Sequence, residues 1–212
     1  MRQVFYPKEY KASAYDIDFA RWRKKGYRGI IFDVDNTLVP HGAPADARAK
    51  KLFEELHALG FAMTLLSNNG EERVKSFCEA VVGAGYIYKA GKPKRRGYVH
   101  AMERMGTDVH TTLFVGDQIF TDVWGANRAG IYTILVKPIH PKEEIQIVLK
   151  RYLERIVLYF YFKKEKYPKG MPECQKAGKE ESKNAKHFFG MLSETCPRAE
   201  ANGRYFEKEE RR

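Results

Sequence analysis

Short apolar runs alternate with amphipathic segments between residues 29 and 137, and this alternation restricts the possible folds more than any other feature of the chain. The apolar runs are shorter than about eight residues, as buried strands are. The segments between them carry apolar residues at helical spacing and end at glycines such as Gly60 and Gly130. Strands that alternate with helices predict an α/β protein with a parallel sheet and right-handed crossovers. The clearest strands are RGIIFDV, FAMTLLS, TTLFVGD and IYTILV, with a shorter one at YIYKA.

The regions on either side of this alternation differ in composition. We interpret residues 1–28 as an N-terminal arm with a short helix that ends at Gly26. Residues 29–162 then form the main domain, closed by a long helix around 145–162. The remaining residues, 163–212, are polar and charged with weak periodicity, which is typical of a flexible basic tail.

Cysteine usage and hydropathy indicate where such a chain would work. Cys78, Cys174 and Cys196 are odd in number, far apart and in no CxxC pair, which argues against disulfides and zinc. The N-terminus lacks the apolar stretch of a signal peptide. The longest apolar run, IVLYFYF, is much shorter than the roughly 20 residues of a membrane span. We expect a cytoplasmic protein, with peripheral contact to a membrane as an open alternative.

The chain is strongly basic, with a formal net charge of +11. This charge favours anionic partners, whether phosphate esters, nucleic acid or acidic lipid, without choosing among them. The basic run KPKRRG at residues 92–97 would raise the positive potential for an anionic substrate. No helix-turn-helix, zinc-finger or RNA-recognition pattern indicates a dedicated nucleic-acid module.

Two carboxylates, Asp33 and Asp35, stand at the end of the first of these strands, RGIIFDV. Burying such a pair costs several kcal/mol for each charge unless something compensates it. The simpler explanation is a turn, because aspartate favours turns. The alternative is a bound cation, which would balance the two charges at the end of a buried strand.

Other predicted strands also end in polar residues, and this favours the cation. Ser67 and Asn68 follow FAMTLLS, Lys92 follows YIYKA, and GDQIFTD supplies Asp117 and Asp122. In a parallel sheet these carboxyl ends meet at one edge, where such proteins bind ligands.

This set of residue types suits phosphoryl transfer. Mg²⁺ takes oxygen ligands and usually one or two protein carboxylates, which Asp33 and Asp117 can supply. Asp33 can also attack phosphorus and form an aspartyl-phosphate, while Asp35 protonates the leaving oxygen and later activates water. Ser67 and Lys92 can bind the phosphoryl oxygens and offset their charge.

Four motifs, in this order, resemble those of the haloacid dehalogenase (HAD) phosphatases, and the match covers residues 28–137. It implies a Rossmann-like HAD fold, with a parallel sheet flanked by helices, and a Mg²⁺ cofactor. The motifs are DVDNT, the strand-end Ser67, the KP at Lys92–Pro93 and GDQIFTD.

The resemblance implies a role for each matched catalytic residue. Asp33 would be the nucleophile and a metal ligand. Asp35 would be the general acid and base, with its backbone carbonyl also on the metal. Ser67 and Lys92 would bind the phosphoryl group.

Four further residues complete the site that the resemblance implies. Thr37 would orient these groups at the substrate, and Asn68 would contact the substrate, with the local backbone as its alternative partner. Asp117 would bind Mg²⁺. Asp122 would support the metal or Lys92, with a helix cap as the alternative.

The spacing of the motifs leaves no room for a cap domain, because each gap between Thr37, Ser67 and Lys92 holds only a helix and a strand. The site would then be open, which suits a large substrate, or it would be covered by a second copy in a homo-oligomer. Within this capless subfamily IIIA, residues 15–136 look similar to the YqeG type, whose relatives include mitochondrial phosphatidylglycerophosphate phosphatases.

The resemblance implies Mg²⁺-dependent hydrolysis of a phosphate monoester, with phosphatidylglycerophosphate as the preferred substrate. A soluble sugar phosphate, a nucleotide or a nucleic-acid end is the alternative substrate. A non-catalytic regulator or scaffold that keeps the site is the alternative function. The helix around 145–162 mixes basic and aromatic residues, which favours a helix docked on the sheet, with a membrane-surface helix as the alternative.

Overall fold

A six-stranded parallel sheet lies at the centre of the structure, a computed structural model that describes residues 3–140 and 145–166. The strands are β1 (Glu9–Lys11), β2 (Gly29–Phe32), β3 (Ala62–Leu66), β4 (Ala84–Ile87), β5 (Thr112–Gly116) and β6 (Tyr132–Val136). Their order across the sheet is β1-β6-β5-β2-β3-β4, and every neighbouring pair is parallel. The predicted α/β fold with a parallel sheet is therefore confirmed.

Helices connect the strands and form the layers on the sheet. They are α1 (Phe19–Lys24), α2 (Ala47–Ala58), α3 (Glu71–Glu79), α4 (Arg95–Met105), α5 (Trp124–Ala129) and α6 (Ile145–Lys166). A π-helical turn at Ile119–Val123 precedes α5. The Asp46 carboxylate caps α2 by accepting a hydrogen bond from the backbone N–H of Ala49, as expected for an N-cap.

The central strand β2 is covered on both faces of the sheet. Ile30, Ile31 and Phe32 are fully buried, as in parallel sheets covered by helices on either side. Ile30 and Phe32 belong to a core cluster with Phe53 of α2, whereas Ile31 belongs to a second cluster with Tyr98 of α4. The two clusters hold the carboxyl end of β2 in a fixed place.

The structure differs from the sequence analysis in two elements. The arm contains β1, which adds an edge strand beside β6, where only a helix was predicted. The strand predicted at YIYKA begins and ends earlier, at Ala84–Ile87. The chain leaves the sheet there because Lys89 has a positive φ of 43°.

The connections between the strands place the site and leave it open. The chain runs from β2 to β3 and β4 on one side and then crosses to β5 on the other, so β2 and β5 flank a switch point where ligands bind. Between Thr37 and Lys92 the structure contains only α2, β3, α3 and β4, and no cap domain.

Two compact units divide the chain, Met1–Leu158 and Tyr159–Arg212, and the sheet belongs to the first. Of the second unit, the structure describes only the last turns of α6. Most of the predicted tail, from residue 167 onward, lies outside the described residues. None of the described helices combines the length and hydropathy needed to cross a bilayer.

Candidate active site

Four strand ends bring the predicted polar residues to one edge of the sheet. Asp33 directly follows β2, Asp117 follows β5 and Ser67 follows β3, and all three are buried. Lys92, after β4, reaches across to Asp33 with its side chain. The structure thus brings Asp33 together with Lys92 and Asp117, whereas a contact of the Ser67 side chain with these groups stays a prediction.

The buried Lys92 ammonium links two carboxylates. Its Nζ donates to Asp33 Oδ1 at 2.5 Å and to Asp122 Oδ1 at 2.7 Å. Burial raises the pKa of Asp33 to about 6, although the Lys92 charge opposes the shift. Burial alone would lower the pKa of Lys92, but the carboxylates of Asp122 and Asp33 outweigh it and raise that pKa, so the ammonium stays charged.

The Thr37 hydroxyl lies between two carboxylates. Its Oγ1 is 3.3 Å from Asp33 Oδ2 and 3.2 Å from Asp117 Oδ1. A hydroxyl has one proton, so it donates to one of these oxygens at a time. This geometry suits the predicted orienting role, while a contact between Thr37 and substrate stays a prediction.

Three buried carboxylates form a group suited to a metal ion. Asp33, Asp117 and Asp122 each offer an oxygen, and the three oxygens lie within 4.8 Å of one another. With all three ionised and Lys92 protonated, this group carries a net charge of −2, which a divalent cation would balance. Oxygen donors of this kind suit Mg²⁺.

The position of Asp122 depends on the backbone around it. Its Oδ2 accepts from the backbone N–H of Gln118 at 3.0 Å. At Gly116, a Cβ atom would lie 2.5 Å from the same Oδ2, closer than real Cβ contacts come. The glycine of the GDQIFTD motif therefore provides the space in which the Asp122 carboxylate lies.

Asn68 is positioned beside Lys92 and contacts its backbone in both directions. Asn68 Nδ2 donates to the Lys92 carbonyl at 3.2 Å, and Asn68 Oδ1 accepts from the Lys92 N–H at 2.8 Å. This is the local-backbone alternative stated for Asn68, and its contact with substrate stays a prediction. Ser67 Oγ accepts from the Asn69 N–H at 3.2 Å, which leaves the hydroxyl proton to donate elsewhere.

The Asp35 carboxylate is bound by different residues from those that contact the metal group. Its Oδ1 accepts from the Gly42 N–H at 2.8 Å and from Arg73 at 2.9 Å. Its Oδ2 accepts from Asn69 Nδ2 at 2.6 Å. The side chain is thus held at both oxygens, and the predicted binding of its backbone carbonyl to metal stays a prediction.

Three residues that contact the site belong to none of the motifs found in the sequence. Asn69 and Arg73 hold Asp35, and Glu154 of α6 accepts from the backbone N–H of Ile119 at 2.6 Å. One signal was present for Arg73, because it is a cation in the first turn of α3, where the helix dipole disfavours positive charge. Glu154 stands next to Arg155 in a helix that also carries other basic residues, so the sequence gives no signal that it is buried and bonded to the backbone.

Comparison with known proteins relates this chain to a family of hydrolases. A family model described as a haloacid dehalogenase-like hydrolase matches residues 43–130, which include Ser67, Lys92, Asp117 and Asp122. The chain is 36% identical over 159 residues to the protein named "Probable phosphatase YqeG" from Bacillus subtilis (strain 168). That match covers 74% of this chain and 92% of the relative.

Two more distant relatives have names that specify a substrate. Phosphatidylglycerophosphate phosphatase 1, chloroplastic/mitochondrial, from Arabidopsis thaliana is 29% identical, over 70% of this chain and 45% of that protein. The chloroplastic phosphatidylglycerophosphate phosphatase 1 from Chlamydomonas reinhardtii is 28% identical, over 67% of this chain and 58% of that protein. The chain thus spans about half the length of these two relatives.

Proposed function

The chain belongs to the haloacid dehalogenase-like hydrolases and is a phosphatase of that family, related to YqeG. From this premise we propose that it hydrolyses phosphate monoesters with Mg²⁺, through an aspartyl-phosphate on Asp33. The observation that carries the proposal is the buried group of three carboxylates, Asp33, Asp117 and Asp122, two of which bind the Lys92 ammonium.

The metal fits the residues that are present. Asp33, Asp117 and Asp122 would hold Mg²⁺ with their oxygens, and the net charge of −2 in a buried site supports a dication there. When bound, the ion would neutralise charge on the phosphoryl oxygens. Without a cation, two excess buried charges would be costly.

The residues divide the reaction into two balanced halves. In the first, an Asp33 carboxylate oxygen attacks phosphorus, the bond from phosphorus to the leaving oxygen breaks, and Asp35 as the acid gives its proton to that oxygen. In the second, Asp35 as the carboxylate takes a proton from water, whose oxygen attacks phosphorus while the Asp33–phosphorus bond breaks. Splitting the hydrolysis in this way replaces one difficult step with two easier ones.

Lys92 and Ser67 are suited to hold the phosphoryl group in both halves. The Lys92 ammonium contacts Asp33 Oδ1, so it would lie next to a phosphoryl group carried by Asp33. The Ser67 hydroxyl retains a proton to donate. Fixed donors of this kind stabilise charge as it develops in the transition state.

The proposed substrate is phosphatidylglycerophosphate. The names of the two plant and algal relatives support this choice, as does a site without a cap domain that leaves room for a large molecule. Lys94, Arg95 and Arg96, close to the catalytic Lys92, are exposed and suit an anionic headgroup or an acidic lipid surface.

We also propose that α6 contacts the membrane surface. In the first unit, Leu153 and Ile156 of this helix are 53% and 50% exposed, which is unusual for large apolar side chains one turn apart. The adjacent face of the helix is docked, since Glu154 and Val157 are buried. One helix can therefore dock on the domain and still present an apolar surface to lipid.

A substrate panel tests the proposed function. Phosphate release would be measured with phosphatidylglycerophosphate in micelles, sugar phosphates, nucleotides, a 3′-phosphorylated oligonucleotide and 4-nitrophenyl phosphate, with Mg²⁺ or with a chelator. We expect release only with Mg²⁺, highest on the lipid and lost in Asp33→Asn. The matched control, Asp108→Asn, changes an exposed aspartate outside the site and should remain active.

Each other outcome points to a different account. Release from soluble esters alone would retain the chemistry and contradict the lipid substrate. Release that persists in Asp33→Asn would contradict the nucleophile. No release from any ester by folded protein would favour a regulator or scaffold.

A further inference from the structure

The Asp35 side chain is held more tightly than an exposed acid/base would be. Arg73 of α3 pairs with Oδ1 at 2.9 Å and Asn69 contacts Oδ2 at 2.6 Å, and the two side chains of the ion pair are only 12% and 21% exposed. Exposed ion pairs are worth little because solvent screens them. This pair is largely shielded, so it restricts the Asp35 carboxylate.

The fold accepts two costs to place Arg73 there. A cation in the first turn of a helix is disfavoured by the helix dipole. The Arg73 Nε atom is buried without a hydrogen-bond partner among the described residues, which is also unfavourable. An arginine needed only for helix stability would avoid both costs, so its contact with Asp35 explains its position best.

The contacts also distinguish the two Asp35 oxygens. Oδ1 accepts from both the Gly42 N–H and Arg73, so it is saturated with donors. Within the described residues, the Asn69 amide is the one hydrogen-bond partner of Oδ2. If this amide were turned over, its oxygen would lie next to Oδ2 and could accept a hydrogen bond from a proton there. The proton of the acid form therefore belongs on Oδ2.

We propose that Arg73, together with Asn69, is a positioning residue for proton transfer by Asp35. It fixes the carboxylate through Oδ1 so that Oδ2 gives its proton to the leaving oxygen and later takes one from water. Arg73 touches neither the metal group nor the reacting phosphorus in this role. The inference rests on the proposed function, since it assumes that Asp35 is the acid and base.

Leaving-group dependence separates this role from a purely structural one. Phenyl phosphate releases a poor leaving group that needs a proton, whereas 4-nitrophenyl phosphate releases a good one that needs it far less. We expect Arg73→Gln to lower kcat/KM by about 10- to 100-fold on phenyl phosphate, the size of effect that misplacing a catalytic group produces. On 4-nitrophenyl phosphate the loss should be several times smaller, and Asp35→Asn should show the same pattern.

The matched control is Lys75→Gln, which removes the same charge from the same helix. Lys75 is exposed and pairs with Glu79 at 3.8 Å, away from Asp35, so we expect unchanged kcat/KM on both esters. The double variant Arg73→Gln/Asp35→Asn should be no slower than Asp35→Asn, because residues that act together are not additive. If circular dichroism shows Arg73→Gln to be unfolded, Asn69→Ala must show the same ester dependence.

Three results would overturn the inference. They are equal losses on the two esters, no loss on either, or additive losses in the double variant. An active Asp33→Asn, or an Asp35→Asn without leaving-group dependence, would overturn the proposed function and this inference with it. Inactive Asp33→Asn together with an ester-independent Arg73→Gln would overturn this inference alone.

Discussion

A missing side chain at Gly116 allows the Asp122 carboxylate to lie against the end of β5. A Cβ atom there would be 2.5 Å from Asp122 Oδ2 and 2.8 Å from the Phe114 ring. Asp122 cannot move freely, because it also holds Lys92 and the backbone N–H of Gln118. One added methyl group would therefore disturb the whole acidic group.

Gly116→Ala should therefore strongly lower activity while the protein still folds. We expect kcat/KM to fall by about 100-fold, as for other small displacements of catalytic groups. The overpacked strand end should cost about 1–3 kcal/mol in the free energy of unfolding. Kinetics with 4-nitrophenyl phosphate and urea denaturation measure the two effects.

The control for this variant is Gly85→Ala in β4. A Cβ atom at Gly85 would meet its nearest atoms at 3.8 Å, an ordinary contact, so this variant should keep full activity. Full activity in Gly116→Ala would show that Asp122 does not need its present position.

Residue chemistry at the strand ends was predictable from sequence, but the side-chain partners were not. Asp33, Lys92 and Asp117 could be placed together because parallel strands share a carboxyl edge. The contact from Arg73 to Asp35 could not be predicted from sequence, because it depends on the rotation of α3 about its axis. The spacing of apolar residues predicts which face of a helix is buried. It does not predict which polar side chain an arginine on that helix contacts.

At the scale of elements, α6 is tied to the loop that carries two metal-group residues. Glu154 is buried and accepts from the Ile119 N–H at 2.6 Å, one turn before Asp122 and two residues after Asp117. Val157 packs in the same cluster as Ile119 and Val123. The helix therefore supports the loop from behind.

Replacing Glu154 by alanine should weaken the response to Mg²⁺. The change leaves the buried Ile119 N–H without this acceptor, at a cost of about 1–3 kcal/mol in the free energy of unfolding. We expect the Mg²⁺ concentration for half-maximal activity to rise about 10-fold or more, as when outer contacts of metal ligands are lost. Magnesium titrations of activity measure this shift.

The control is Glu103→Ala, which removes an exposed acid from α4 and should leave the Mg²⁺ response unchanged. An unchanged response in Glu154→Ala would mean that α6 does not support the metal group.

Elements with strong periodicity were predictable, and short ones were not. The helix α2 and the strand β2 follow from apolar spacing. The three-residue β1 has no period of its own, and it forms because β6 offers an unpaired edge. The shift of β4 to Ala84–Ile87 has a similar cause, since Ala84 and Gly85 are poor strand formers that pair only because β3 lies beside them.

At the scale of the whole molecule, charge and exposed apolar surface both suit an anionic membrane. The formal net charge is +11, and the site has no cap domain between it and a large substrate. Leu153 and Ile156 are exposed on α6, while Glu154 and Val157 on the adjacent face of the helix are buried. Deleting the helix would remove the Glu154 contact as well, so substitutions on the exposed side are the cleaner test.

We expect Leu153→Glu/Ile156→Glu to reduce binding to vesicles that contain phosphatidylglycerol. Each large apolar side chain contributes about 1.5–3 kcal/mol when fully buried, so partitioning should fall at least about 10-fold. Hydrolysis of 4-nitrophenyl phosphate should not change, because neither side chain is part of the site. Vesicle sedimentation measures the binding.

Two exposed apolar residues elsewhere provide the control. Leu59→Glu/Val82→Glu adds the same two charges outside α6, and we expect binding close to that of the unaltered protein. Equal binding by the α6 variant and the unaltered protein would contradict membrane contact through this helix.

The central claim is that Asp33 carries the phosphoryl group. Borohydride reduces an acyl phosphate, so it would convert phosphorylated Asp33 to homoserine, which peptide mass spectrometry detects. Asp35→Asn is the protein to use, because a good leaving group still forms the intermediate while its hydrolysis lacks a base. With Mg²⁺ and 4-nitrophenyl phosphate we predict homoserine at position 33, and none without Mg²⁺. Release of 4-nitrophenol with Asp33 unmodified, or modification at another carboxylate, would contradict the account.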